Sequence, residues 1–122
     1  MNQLAKGIEE FNAGDYFECH DTLEAIWMEA THDRFFYQGL IHLAVGFYHL
    51  LNENYAGAES QLSKGLFKLE EFKPAYQGVQ LSRLLDKVQI CLSQVRALKA
   101  RTLDHFDVSL IPKIEWNPES PS

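Results

Sequence analysis

The sequence predicts an all-α protein, a compact array of about five helices with a two-unit, tetratricopeptide-like helix-pair core. Three observations lead there. Apolar residues recur at three- and four-residue spacing almost throughout the 122 residues. Turn-forming clusters interrupt that spacing at well-separated points. A pattern also repeats at an offset of 39 residues: Asp15-Tyr16-x-x-Cys19-x-x-x-Leu23 returns as Asn54-Tyr55-x-x-Ala58-x-x-x-Leu62, while Ile8 and Phe11 fall on Phe47 and Leu50. Each unit reads as helix, tight turn, helix, the logic of a helix-pair repeat.

The elements follow in order. Leu4, Ile8 and Phe11 give a short first helix, which Gly14 breaks. Asp15 opens a second helix to about residue 30, and Glu18 three residues on is close to a capping-box signature. Its apolar face is Tyr16, Cys19, Leu23, Ile26, Trp27 and Ala30. Asp33 can cap a third helix running to about residue 51, apolar nearly all round and so expected in the middle of a bundle. Asn52-Glu53-Asn54 makes the next turn. A fourth helix carries Tyr55, Ala58, Leu62, Leu66, Leu69 and Phe72, and Pro74 ends it. Residues 75–78 read as a linker. A fifth helix carries Leu81, Leu84, Leu85, Val88, Cys91, Leu92, Val95 and Leu98 and closes the stack. Residues 106–116, interrupted by Pro112, are expected to lie extended over the bundle. This makes one helical domain over 1–116, with 117–122 as a disordered tail.

Composition narrows the function. Two cysteines, Cys19 and Cys91, sit on apolar stripes without zinc spacing and read as reduced core thiols, which suits the cytoplasm. No signal peptide is visible, and the longest apolar stretch, 40–51, is interrupted by His42 and His49, too short for the ~20 residues of a membrane span. The net charge of −6 is uneven: −8 over residues 1–63, +5 over 64–101 and −3 beyond. Without interleaved aromatic and basic residues, this does not read as a nucleic-acid face. It fits two halves that attract each other within one fold or across a homo-oligomer.

The most informative residues are polar ones on apolar stripes. His20-x-x-x-Glu24-x-x-Trp27 is followed by Arg34, Gln38, His42 and His49. At 100° per residue, His20, Glu24 and Trp27 span about 60° on the border of the second helix's buried face. Gln38, His42, Val45 and His49 likewise fall within about 60° on the third. If the two helices are antiparallel, the stripes can face each other, with His20 and Glu24 meeting Gln38 and His42, and His49 near Tyr16.

Three readings of this seam compete. It is a structural network in which His20 bonds Glu24 or Gln38 and Glu24 pairs with Arg34. It is a ligand pocket in which His20, Glu24, Arg34, Gln38 and His42 orient a molecule against Trp27. Or it is a metal or acid–base site, since His20, Glu24 and His42 supply two imidazoles and a carboxylate. The spacing matches neither the metalloprotease motif nor the paired motifs of di-iron bundles. No phosphate-binding glycine loop, activated cysteine or nucleophile turn is present.

Three strings carry a family resemblance. They are Phe11-x-x-Gly14-Asp15-Tyr16-Phe17-Glu18-Cys19-His20-Asp21-x-Leu23-Glu24-x-x-Trp27, then Arg34-Phe35-Phe36-x-Gln38-Gly39-Leu40-Ile41-x-Leu43-Ala44, then Asn54-x-x-Gly57-Ala58. Over roughly residues 8–72 the chain resembles the domain of unknown function 309 family, small helical proteins with an HxxxExxW motif. Leu110-Ile111-Pro112 echoes a short motif near that family's end. The resemblance implies an all-helical fold in a soluble, cytosolic or plastid-like setting. It also places His20, Glu24, Trp27, Arg34 and Gln38 in the family motif, and it brings no activity with it. Asp21 stands where the pattern often has Glu, and Cys19 where Ala is common. Gln fits the family pattern at position 42, which weakens a metal site built on His42.

The function expected from these residues is a non-enzymatic ligand-binding or scaffold module with a polar cleft between the second and third helices. The alternative is a metal-dependent or acid–base enzyme using His20, Glu24 and His42.

Overall fold

The computed structural model describes residues 2–119. Five helices account for most of them: α1 (Gln3–Asn12), α2 (Tyr16–Glu29), α3 (Arg34–Leu51), α4 (Tyr55–Leu69) and α5 (Ser82–Lys99). The all-helical expectation holds; of the apolar face read for α2, Tyr16, Cys19 and Leu23 are buried, and Ile26, Trp27 and Ala30 are half-buried. Helices consecutive in the chain are neighbours in space, α1 on α2, α2 on α3, α3 on α4 and α4 on α5. The greasy helix α3 is therefore enclosed on two sides, and Phe36, Leu40, Leu43, Ala44 and Phe47 are fully or almost fully buried.

Aromatic contacts fix the first three helices. Phe11 packs edge-on against Tyr16 at 5.2 Å and against Phe47 at 5.9 Å, so one side chain of α1 touches both α2 and α3. Truncating a buried ring in such a place costs about 3–5 kcal/mol. A second cluster, Phe36 with Phe72 and Tyr76, closes the other end of α3.

The turns differ from expectation in chemistry. Asn2 and Asn54 cap α1 and α4, their side chains accepting from Leu4 and Gly57 N–H groups respectively. Asp15 stands at the N-cap of α2, but its side chain makes no cap bond. A capping box needs a free N-cap N–H for Glu18, and the Asp15 N–H is already bonded to Glu10 O at 2.9 Å. Gly14, at φ +81°, provides the left-handed residue that this tight turn requires. Asp33 at the start of α3 also makes no cap bond. Its backbone is left-handed, and its carboxylate instead accepts from the Tyr76 hydroxyl and from Gln77 Nε2 at 3.1 Å.

Residues 75–78 are more than a linker. Ala75–Tyr76 and Val79–Gln80 (β1 and β2) pair as an antiparallel hairpin whose turn residues, Gln77 and Gly78, both have positive φ. α4 stops before Pro74, at Leu69, and Glu70–Phe72 continues as a 3-10 turn.

The segment 106–116 lies over its own bundle. Ile114 is buried, Trp116 bridges Val79, and Gln80 N–H donates to Glu115 O. The Cys91 thiol donates to Leu110 O. Asn117 N–H still reaches Gly78 O at 2.8 Å, and a Cβ at Gly78 would collide with the Asn117 carbonyl. Of the tail expected to be disordered, 120–122 lie outside the described residues.

Among the described residues no helix is long and apolar enough to cross a membrane. Part of the charge asymmetry is consumed internally: Glu59 of α4 pairs with Arg96 at 3.0 Å and Lys99 at 2.5 Å on α5. These two cations hold the Glu59 carboxyl below its ordinary value, Lys99 being the larger cause.

Candidate functional site

The helical spacing of α3 divides it into two faces. Its core face packs inward. Ile41, Arg34, Val45, Gln38, His49 and His42 fall, in that order, on an outer arc of about 100°. All but the exposed Arg34 are half-buried. α2 flanks this arc on one side and α4 on the other. The candidate residues therefore lie along the outer surface of three helices.

They form three separate sets. In the first, His20 Nε2 lies 3.1 Å from Glu24 one turn on, and Nδ1 lies 3.2 Å from Asp21. In the second, the Arg34 guanidinium stacks over the Trp27 ring at 4.4 Å. Arg34 Nη1 also donates to the Trp27 and Ala30 carbonyls at 3.0 and 3.1 Å. Those carbonyls belong to the end of α2, where a cation is favoured by unsatisfied acceptors. Arg34 thus closes the α2–α3 turn, and its nitrogens go to these carbonyls; Glu24 bonds His20.

The third set joins α3 to α4. Gln38 Oε1 accepts from Lys68 Nζ at 2.6 Å. His42 Nδ1 lies 2.7 Å from Gln61 Oε1, and Nε2 lies 3.3 Å from Lys68 Nζ. An ammonium can only donate, so Nε2 accepts and Nδ1 carries the proton, donating to Gln61. Burial, with further opposition from Lys68 and Lys64, lowers the His42 pKa against the opposing pull of the Gln61 hydrogen bond.

The expected seam is therefore corrected. Gln38 and His42 turn toward α4, and among the described residues no hydrogen bond links them to His20 or Glu24. The metal set His20, Glu24 and His42 is not brought together, and no group of three or more His, Cys, Asp or Glu among the described residues is arranged to hold an ion. At His42 the physical reason is direct: the ring nitrogen a cation would use faces the Lys68 ammonium.

Between α2 and α3 the structure opens a small groove of about 180 Å³ lined by Tyr16, Phe17, His20, Val45, Tyr48 and His49. His49 does lie beside Tyr16, as the antiparallel register requires. The groove is aromatic more than polar: the Phe17 and Tyr48 ring centres lie 5.9 Å apart, tilted by 52°, and the residues remain 54% and 40% exposed.

Sequence reasoning missed Lys68 and Gln61. A signal existed, since the two lie seven residues apart and so on one side of α4, bordering its buried stripe. It also missed a polar cluster at the hairpin, where Asp33, Tyr76, Gln77 and Tyr37 bond one another. Nothing in the linear pattern brings residues 33 and 77 together.

The thiols are not reactive groups. Burial pushes Cys19 up to about 12 and Cys91 up to about 11, so both stay protonated at neutral pH.

Comparison with known proteins agrees with the motif. Residues 4–61 match the model of the family described as Domain of unknown function (DUF309), the family that the sequence resembles. That region contains all but the first residue of α1, the whole of α2 and α3 and about the first half of α4, and so all six candidate residues. The chain is also similar to the Uncharacterized protein YpuF of Bacillus subtilis (strain 168), at 34% identity over 96 residues. The alignment covers 75% of this chain and 55% of the relative, so the chain spans about half the length of that curated relative.

Proposed function

We propose, taking as premise the match of residues 4–61 to a family without an assigned activity, that this protein is a non-enzymatic binding module. Its recognition surface is the outer face of α2, α3 and α4. One observation carries this reading: the polar residues are tied off in three sets spread along a face, and they do not converge on one point. General acid–base or nucleophilic chemistry needs its groups within hydrogen-bond reach of one reacting atom. A row of polar pairs flanked by exposed aromatic rings is suited to holding a ligand or partner in register. His20, Glu24, Arg34, Gln38 and His42 supply polar contacts, and Trp27, Phe17 and Tyr48 supply flat apolar surface. The free, buried thiols support a cytoplasmic setting.

The test is photo-crosslinking in cells with a photoreactive phenylalanine analogue at Tyr48 on this face or at Ile90 on α5, each adduct weighed by intact-mass spectrometry. A discrete adduct from position 48 and none from position 90 is expected, whether its mass is that of a small molecule, a protein or a second copy of the chain. Equal labelling at the two positions, or none at position 48, overturns the reading.

A further inference from the structure

Among the described residues, the hydrogen bonds of the Lys68 ammonium go to neutral groups alone. The side chain is half-buried on α4, and Nζ donates to two neutral acceptors, Gln38 Oε1 and His42 Nε2. The Phe35 ring centre lies 5.3 Å from Nζ. Among the described residues, no carboxylate lies within ion-pair distance of it. The charged neighbour it does feel is Lys64, of like sign, and burial together with Lys64 pushes the Lys68 pKa down. An ammonium has three protons, and two are used. A partly desolvated cation without a counter-charge is costly, and an anion offsets that cost.

The surroundings define which anion. Lys68 lines a groove of about 610 Å³ with Phe35, Leu66, Phe67, Glu70 and Glu71. Phe35 and Phe67 are 53% and 80% exposed. Glu70 is held by Lys73 at 3.2 Å, and Glu71 stands exposed at the rim. Two rim carboxylates repel a dianion such as a phosphate ester more strongly than a monoanion.

We propose that this groove binds a monoanionic organic carboxylate with an apolar body, the carboxylate on Lys68 and the body against Phe35 and Phe67. The inference rests on the reading of the α2–α4 face as a recognition surface and names the chemistry of one end of it.

The test is a titration of the full chain with hexanoate and with 2-naphthoate, followed by amide NMR, with hexanamide as the neutral control. Saturable shifts at residues 35 and 66–68 are expected with both carboxylates. Hexanamide and the Lys68→Met variant should each bind about tenfold or more weakly, the loss of a charged hydrogen bond. Phe67→Ser, at a side chain almost wholly in solvent, should weaken binding while leaving the rest of the spectrum in place. No saturable shift with either carboxylate overturns the proposal, as does equal binding of hexanamide, or undiminished binding by Lys68→Met. A failed titration with the Tyr48 adduct intact removes this inference alone. Saturation without that adduct removes the wider reading and leaves the groove as a site in itself.

Discussion

Asn12 at the end of α1 satisfies both backbone groups of Ile114, 102 residues away. Its Oδ1 accepts from the Ile114 N–H at 2.7 Å, and its Nδ2 donates to the Ile114 carbonyl at 2.9 Å. One side-chain amide thus mimics a strand partner and clamps the C-terminal segment onto the first helix. Asn12→Ala leaves a donor and an acceptor unsatisfied beside the buried Ile114, which costs about 1–3 kcal/mol. Asn12→Asp keeps the acceptor but sets a second carboxylate oxygen against the Ile114 carbonyl, at a helix end that disfavours an anion, so it should be no milder than Asn12→Ala. Urea denaturation measures the cost, and faster hydrogen exchange at the Ile114 amide should accompany it. An unchanged midpoint for Asn12→Ala would show that the segment is held by other contacts.

α3 and α4 approach closely because glycines face leucines across their seam. A Cβ at Gly46 would lie 2.6 Å from Leu62 Cδ2 and 3.2 Å from the Leu62 backbone nitrogen. A Cβ at Gly65 would lie 2.6 Å from Leu43 Cδ2 and 3.1 Å from the Gly39 carbonyl. Alanine is the better helix former by about 1 kcal/mol. Overpacking against backbone costs about 1–3 kcal/mol and should outweigh that gain. Gly46→Ala and Gly65→Ala are therefore expected to lower the melting temperature, and a rise in either would mean that the helices can part at little cost.

The helices were legible because a period of three to four residues survives any tertiary detail. The buried stripes of α1 and α5 are those the sequence marked, and on α4 Ala58, Leu62 and Leu69 are buried while Tyr55 and Leu66 stay half-buried. What the sequence hid was rotation and partner choice. Gln38 and His42 share a stripe with Val45 and His49, yet the first two bond side chains midway along α4, while Val45 and His49 line the groove against α2 and His49 also meets Asn54 at the start of α4. A stripe some 60° wide on a helix with two neighbours can serve either, and nothing in the spacing decides which. The hairpin at 75–80 was hidden for another reason: its turn is Gln77-Gly78, and glutamine is a weak marker of positive φ. Asp15 and Asp33 read as caps by residue type, but each turn uses the needed groups otherwise.

Arg34 and Trp27 test whether the motif arginine is a positioning residue. Arg34→Lys keeps a cation but gives up the planar stack and the forked donation to two carbonyls. A loss of about 0.5–1 kcal/mol is expected, the worth of an exposed cation–π pair. With Trp116→Phe as background, the remaining tryptophan fluorescence reports Trp27 directly, and Arg34→Lys should shift its emission. Identical emission and stability would assign Arg34 to ligand contact alone.

Alkaline pH should loosen the α1–α2 corner in a defined window. Burial raises Tyr16 from 10.0 to about 12 and Cys19 from 9.0 to about 12, in Cys19 with added opposition from Glu10. Tyr76, bonded to the Asp33 carboxylate, is likewise raised to about 12. Below about pH 9 each group is protonated in both folded and unfolded chains, so its contribution is complete there. Between about 9 and 12 the unfolded chain loses these protons and the folded chain keeps them, so stability falls as pH rises. Tyr16 and Cys19 each contribute at most about 1.4 kcal/mol per pH unit within their own windows, and Tyr76, open to solvent screening, contributes less. Urea midpoints at pH 7, 9, 10 and 11 should be level to about pH 9 and then drop. Tyr16→Phe and Tyr76→Phe should each flatten the drop above pH 10, and Cys19→Ala should flatten it from about pH 9. A midpoint independent of pH to 11 would mean that these groups ionise as readily in the folded protein as in the unfolded one.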